Sequence, residues 1–235
     1  MVHDPMPLPA FLRLPFDFDT VAMLRDLRTC EESDWKAHFN SRDYAGSWTS
    51  IALRSASGNA NDILAHPDSS YRDTGLLARC PYFTHILRQF ECELESARLL
   101  NLAAGSRIKE HSDPQTGYRY GIFRIHVPLA TSDQVHFTIG GQRLAMQAGE
   151  CWYGDFSLPH SVENRGDAAR VNLVIDGKRN AWTDDMFARA GYDFSAETET
   201  LAPDAATRER MIAELRAMGT ETAQSLIRQL QEQAS

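Results

Sequence analysis

Three residues in the second half of the chain have the types and order needed to hold a redox-active metal. His111 and Asp113 stand two apart in Lys109-Glu110-His111-Ser112-Asp113, and His160 follows Asp113 by 47 residues. Two imidazoles and one carboxylate, ordered as His-x-Asp and then a distant His, are the ligand set of a non-haem Fe(II) site that leaves other metal positions open. A spacing of two puts His111 and Asp113 on the same side of an extended backbone. His160 must arrive from another strand, and the separation leaves room for about three or four strands with their turns. Arg170, ten residues after His160, adds a fixed cation near the metal.

The tripeptide pattern by itself decides little, because His66-Pro67-Asp68 repeats it. That copy has proline at its centre and lies in a stretch rich in Asn, Asp, Ser and Gly, so a surface turn accounts for it. Downstream of it, His85 has Glu95 at the tenth position, where a cation would be needed. His111 and Asp113 gain their meaning from His160 and Arg170.

Strand alternation places two cations. In Arg170-Val-Asn-Leu-Val-Ile175, Arg170, Asn172 and Val174 share one face, turned into the barrel or out to solvent, and no acidic residue is expected to share it on this strand. An arginine facing a barrel interior needs an anion, since an unpaired buried charge is costly. A guanidinium holding a carboxylate through two parallel hydrogen bonds is the favourable arrangement, which makes a ligand carboxylate the natural candidate. Arg124 and His126 likewise share a face, opposite Phe123, Ile125 and Val127, and suggest a second anion to be held.

The elements that must position these groups follow from periodicity. Residues 1–16 are proline-rich and expected to be extended. Asp19 caps a short amphipathic helix running to about Cys30. Residues 47–54 read as a strand and 59–75 as a loop. Pro81 suits a first helical turn, and Phe83, Ile86, Leu87, Phe90 and Leu94 predict a helix over 82–93. The period then changes to two, with strands expected at 97–102, 121–129, 135–139, 143–146, 150–153, 160–163 and 169–175. Gly140-Gly141 marks a tight hairpin between two of them. Many short strands with glycine punctuation point to a sandwich or jelly roll. After Trp182 the pattern is helical: Asp204 can cap a helix carrying Met211, Ile212, Leu215 and Met218, Gly219 stops it, and Leu226, Ile227 and Leu230 continue on a second.

Composition sets the outer bounds. The 235 residues are 43% apolar and 24% charged, as in an ordinary globular protein with a sizeable core. A net charge of −8 argues against nucleic acid as a partner. The four cysteines have no C-x-x-C spacing, and the N-terminus lacks a basic segment followed by an apolar run. With no apolar run of about 18 residues, a cytoplasmic protein without membrane contact is expected. Oligomeric state is left open.

At this level the chain resembles the aspartyl/asparaginyl β-hydroxylase-like 2-oxoglutarate dioxygenases, which include bacterial proline hydroxylases. The matching pieces, over about residues 35–176, begin with His38-Phe-Asn, Tyr44-x-Gly46-x-Trp48, Leu53-Arg54-Ser55 and Cys80-Pro81-Tyr82. Arg98-Leu-Leu-x-Leu102-x-x-Gly105-Ser106-x-Ile108-x-x-His111-x-Asp113 and Arg124-x-His126 come next. Gly149-Glu150-x-Trp152-Tyr153 and His160-x-x-x-Asn164-x-Gly166-x-x-x-Arg170 close the series. The resemblance implies a mainly β chain with flanking helices around a double-stranded β-helix (jelly roll, cupin-like) core. It implies Fe(II) on His111, Asp113 and His160, and the distal carboxylate of 2-oxoglutarate on Arg170. His126 would contact the other end of that cosubstrate and Arg124 the substrate carboxylate, with Trp48, Trp152 and Phe137 as pocket walls. O2 would then be consumed as 2-oxoglutarate is decarboxylated to succinate and an unactivated C–H is hydroxylated.

Two departures from the animal members bear on substrate. Those enzymes keep a glycine where this chain has Asp113, and a membrane anchor with helical repeats precedes their catalytic domain. A free amino acid or similar small carboxylate, proline-like included, is therefore the expected substrate. A peptidyl aspartyl/asparaginyl β-hydroxylase is the alternative, and a non-catalytic cupin-like binding protein the third reading. The chain is read as one catalytic domain: an N-terminal helix and strand segment (1–95), the double-stranded β-helix core (96–180) and a C-terminal helical extension (181–235).

Overall fold

A computed structural model describes residues 8–39, 42–66, 69–201, 205–218, 224 and 226–227. The chain opens with β1 (Phe11–Asp17), α1 (Thr20–Glu31), β2 (Lys36–Ala37), β3 (Tyr44–Ala45) and β4 (Trp48–Ser55). Next come β5 (Arg72–Asp73), α2 (Pro81–Leu87), β6 (Leu94–Leu102), β7 (Arg107–His111) and β8 (Ile122–Ala130). The remaining strands are β9 (Val135–Ile139), β10 (Gln142–Leu144), β11 (Glu150–Gly154), β12 (His160–Asn164) and β13 (Arg170–Lys178). α3 (Ala181–Arg189), α4 (Phe194–Leu201) and α5 (Ala205–Met218) close the described chain.

The strands form two antiparallel sheets. The larger has eight strands in the order β1-β11-β8-β13-β6-β4-β2, with β5 on β4, and the smaller has five, β10-β9-β12-β7-β3. Trp48 and Leu102 from the large sheet meet Ile108, Phe137, Ile139, Leu144 and Val162 from the small one in a single buried cluster. The core therefore lies between the sheets, as in a jelly roll. Gly140 and Gly141 both take positive φ (56° and 74°), the backbone that a two-residue hairpin demands, and they join β9 to β10.

On the other side of β8, Phe123, Ile125 and Val127 are fully buried. Tyr118 stacks on Phe187 of α3 at 3.6 Å between ring centroids, and Phe187 lies 6.0 Å from Phe123. Asp19 caps α1 as its sequence predicts, its carboxylate accepting from the backbone N–H of Val21 and Ala22. α2 starts at Pro81 with no side-chain cap from Cys80, and buried Asp26 of α1 supplies one instead. Its carboxylate accepts from Tyr82 N–H (2.7 Å) and Phe83 N–H (3.0 Å).

Three expectations shift. The predicted helix over 82–93 ends at Leu87, since the chain turns at Arg88 to deliver Phe90 to the core. The proline-rich start contains β1, which pairs with β11 along the sheet edge, where Pro15 forfeits no central ladder bond. Residues 107–111 form a strand, β7, that alternation did not reveal because Arg107, Lys109 and Glu110 are all polar.

Among the described residues the backbone separates into two compact units, Pro9–Tyr192 and a smaller one from Asp193 onward. The first holds all thirteen strands with α1 to α3, and the second holds α4 and α5. Met211, Ile212 and Leu215 lie on α5, and Leu226 and Ile227 are helical. Asp204, Gly219, Leu230, Pro67, Asp68 and residues 1–7 lie outside the described residues. Among the described residues no helix is long and apolar enough to cross a membrane.

Candidate metal and anion site

A cavity of about 310 Å3 opens between the sheets, lined among others by His38, Trp48, Arg98, His111, Asp113, Arg124, His126, Phe137, His160 and Arg170. β7 ends at His111, and β12 begins at His160 directly opposite it in the antiparallel register. The ladder thus fixes the two imidazoles as neighbours, with ring centroids 4.2 Å apart. Asp113 lies just past the strand, where its backbone N–H donates to Phe156 O at 2.9 Å. One ligand atom from each of His111, Asp113 and His160 fits within 4.8 Å of the others.

Both imidazoles are in the tautomer that a metal needs. His111 Nδ1 stands 2.8 Å from Lys109 O and His160 Nδ1 stands 3.0 Å from Leu158 O. A carbonyl can only accept, so each Nδ1 carries the proton and each Nε2 keeps a lone pair for a cation. Burial pushes the His160 imidazole to lower basicity, which keeps it an unprotonated donor. Burial raises the Asp113 carboxyl, but Arg124 and His160 outweigh that and hold it below its ordinary value, as a carboxylate. Two imidazoles and one carboxylate brought together by neighbouring strands are a donor set suited to Fe(II).

Arg170 behaves differently from the other cavity arginines. It is 2% exposed, its Nη2 has no partner, and no described carboxylate pairs with it. Phe137 lies under its guanidinium at 5.3 Å, and burial alone lowers its basicity to about 10. A charge held this deep without a counter-ion is expensive unless an anion joins it. His126 on β8 also lines the cavity, and its buried Nε2 has no partner either.

Arg124, expected to hold an anion from outside, meets two carboxylates of the chain itself. Its Nη1 donates to Asp113 Oδ2 at 2.5 Å, and its Nε and Nη2 donate to Asp176 at 2.7 and 3.3 Å. Asp176 also accepts from Arg98 Nη2 (2.8 Å) and Ser96 Oγ (2.7 Å). Its presence corrects the expectation that no acidic residue shares the inner face of this strand. β13 runs on to Lys178, so Asp176 follows Arg170, Asn172 and Val174 on that face. It pairs with Arg98 and Arg124 and leaves Arg170 alone.

Trp48 lines the cavity, and so does Phe137. Trp152 does not. Its indole N–H donates to Glu150 Oε2 at 2.9 Å and its ring meets Phe11 edge-on. His38, quoted above only as part of a motif, is a cavity residue stacked on Trp48 at 3.5 Å with a buried, unpartnered Nδ1. Burial, then Arg98, lowers its pKa to about 4, so it is neutral. The decoy His66 pairs with Asp62 at 2.8 Å, outside this cavity.

A two-sheet barrel with a His-x-Asp…His cluster beside a lone buried arginine matches what the sequence profile then identifies. The profile described as aspartyl/asparaginyl beta-hydroxylase matches residues 20–180, and the chain belongs to that family. It is 27% identical over 169 residues to an L-proline cis-4-hydroxylase of Rhizobium meliloti (strain 1021), covering 70% of this chain and 59% of that protein. It is 28% identical over 170 residues to L-proline cis-3-hydroxylase 1 of a Streptomyces species, covering 70% and 57% respectively. The chain thus matches less than two thirds of the length of either relative. Among solved structures, an oxidoreductase of the 2OG-Fe(II) oxygenase family from Burkholderia pseudomallei aligns with TM-score 0.49 and 14% identity, over 73% of this chain and 86% of that one.

Proposed function

We propose that the protein is an Fe(II)- and 2-oxoglutarate-dependent dioxygenase that hydroxylates an unactivated C–H of a free amino acid or similar small carboxylate, releasing succinate and CO2. The observation that carries this reading is the juxtaposition, in one cavity, of the His111, Asp113 and His160 donor cluster with the partnerless Arg170. His111, Asp113 and His160 would hold the iron, and Arg170 with His126 would receive the two ends of the cosubstrate. Bound there, Fe(II) supplies the redox chemistry that couples O2 to decarboxylation and C–H hydroxylation.

The chain's own residues do the positioning. Backbone carbonyls hold His111 and His160 in register, and Arg124 holds the Asp113 carboxylate. Phe137, Phe156 and Val162 wall the inner cavity with apolar surface that keeps water from Arg170. A volume of about 310 Å3 sits at the small end of small-molecule pockets, roughly 300–1,000 Å3, and suits a free amino acid better than a peptide. The printed names of the two curated relatives, both L-proline hydroxylases, support an amino acid as well. The free cysteines fit a reducing cytoplasm.

The test is thermal stability with Fe(II) under anaerobic conditions, with and without 2-oxoglutarate. The expected result is stabilisation by 2-oxoglutarate that requires the metal. No such stabilisation would favour a cupin-like binding protein.

A further inference from the structure

Asn172 lies on the inner face of β13, two residues beyond Arg170, and is fully buried. The neighbouring strand β8 brings His126 to the same layer, with Val174 directly paired to it. Across this ladder the Asn172 amide Nδ2 stands 3.0 Å from His126 Nδ1. His126 is itself buried, and burial together with Arg170 and Arg124 keeps its ring neutral.

A neutral imidazole carries one N–H, and the partner of one nitrogen decides which nitrogen that is. An amide N–H can only donate. With Nδ2 against Nδ1, Nδ1 must accept, and the proton sits on Nε2. Nε2 is left buried without a partner, as are Nη2 of Arg170 and the amide's own Oδ1. The cavity then offers two kinds of donor to one anion, a cation from β13 and a neutral N–H from β8. The opposite tautomer would present a lone pair at Nε2 and repel a carboxylate.

We infer that Asn172 is a positioning residue: by donating to Nδ1 it holds His126 in the tautomer whose Nε2–H binds the anionic cosubstrate beside Arg170. This rests on the reading of the cavity as a 2-oxoglutarate site. Asn172 touches neither metal nor cosubstrate in this account and acts through His126 alone.

Histidine-selective 15N NMR of the zinc-loaded protein at neutral pH reads the tautomer without cosubstrate, with the His126 signals assigned by their loss in His126→Gln. Protonated Nε2 with unprotonated Nδ1 is expected, and the reverse pattern overturns the inference. Asn172→Leu removes the donor at similar size. It should let the ring sample both tautomers and weaken 2-oxoglutarate binding to the Ni(II)-loaded protein roughly tenfold by calorimetry, with Ni(II) affinity unchanged. Unchanged tautomer and unchanged affinity overturn the inference, and so does an equal loss of Ni(II) affinity, which would mark a merely structural role. Asn172→Ala provides the same readouts if the leucine variant does not fold. A wild-type protein that binds no 2-oxoglutarate overturns the underlying reading and this inference with it. A wrong tautomer in a protein that does bind it overturns the role of Asn172 alone.

Discussion

Asp113 and Arg124 share a hydrogen bond of 2.5 Å, Oδ2 to Nη1, that leaves Oδ1 of the carboxylate facing His111 Nε2 at 3.9 Å. Arg124 is anchored on its other edge by Asp176. The carboxylate of the candidate metal cluster is thus oriented by an Asp176–Arg124–Asp113 chain that runs from the buried Asp176 to the half-buried Asp113, and in which each charge has an opposite neighbour.

Such outer partners of a metal ligand are worth about 10–100-fold in metal affinity or activity when removed. Arg124→Ala is expected to weaken Co(II) or Fe(II) binding by that order, read by anaerobic titration, and Asp113→Ala to abolish it with turnover. Arg124→Lys should rescue only in part, because one ammonium cannot match the planar fork that spans both carboxylates. Undiminished metal affinity in Arg124→Ala would show that Asp113 needs no orientation.

Arg170→Met separates ligand binding from stability. The buried guanidinium has no counter-ion among the described residues, so its removal should stabilise the ligand-free protein, by roughly 2–4 °C in Tm per kcal/mol regained. The same variant should lose the extra stabilisation by 2-oxoglutarate and require far more of it for turnover. A lower Tm without ligand would reveal a structural anion partner instead.

Asp176→Asn strips the central carboxylate from buried Arg98 and half-buried Arg124, and breaking a buried pair typically costs about 3–5 kcal/mol at neutral pH. Burial raises the Asp176 carboxyl, but Arg124 and Arg98 prevail and hold it below its ordinary value. A depressed carboxyl stabilises the fold above its unfolded value of about 3.9 and loses that contribution as pH falls through the folded value. The stability gap between wild type and Asp176→Asn, from urea unfolding, should therefore be constant from pH 7 to 5 and shrink below about 4. A gap that does not narrow at all between about pH 5 and pH 2 would contradict the pairing.

Much of this was legible in the residues. Alternation puts Arg124 with His126 and Arg170 with Asn172 on shared faces without saying which way those faces turn, and the glycine pair marks one hairpin. What escaped was the length of β13: one strand residue beyond Ile175 brings in Asp176 and changes the partner of Arg124 from ligand to protein. Strand ends are set by tertiary pairing with β6 and β8, which local pattern does not encode. The same reason hid β7, a polar strand that pairs with β12 on one side and β3 on the other. Trp152 reads as a pocket wall by type and shares a face with His126, its partner across the β11–β8 ladder, but its indole is taken up by Glu150 and Phe11 and does not line the cavity.

The central claim is hydroxylation of a small amino acid, and the direct measurement is product mass. The protein is incubated aerobically with Fe(II), 2-oxoglutarate and a panel of free amino acids and Asp- or Asn-containing peptides, with succinate and product masses recorded. The account predicts succinate formation stimulated by a free amino acid, with a product heavier by one oxygen. Stimulation by peptides alone would contradict it in favour of a peptidyl hydroxylase, and succinate from neither, with metal and 2-oxoglutarate bound, would contradict it outright.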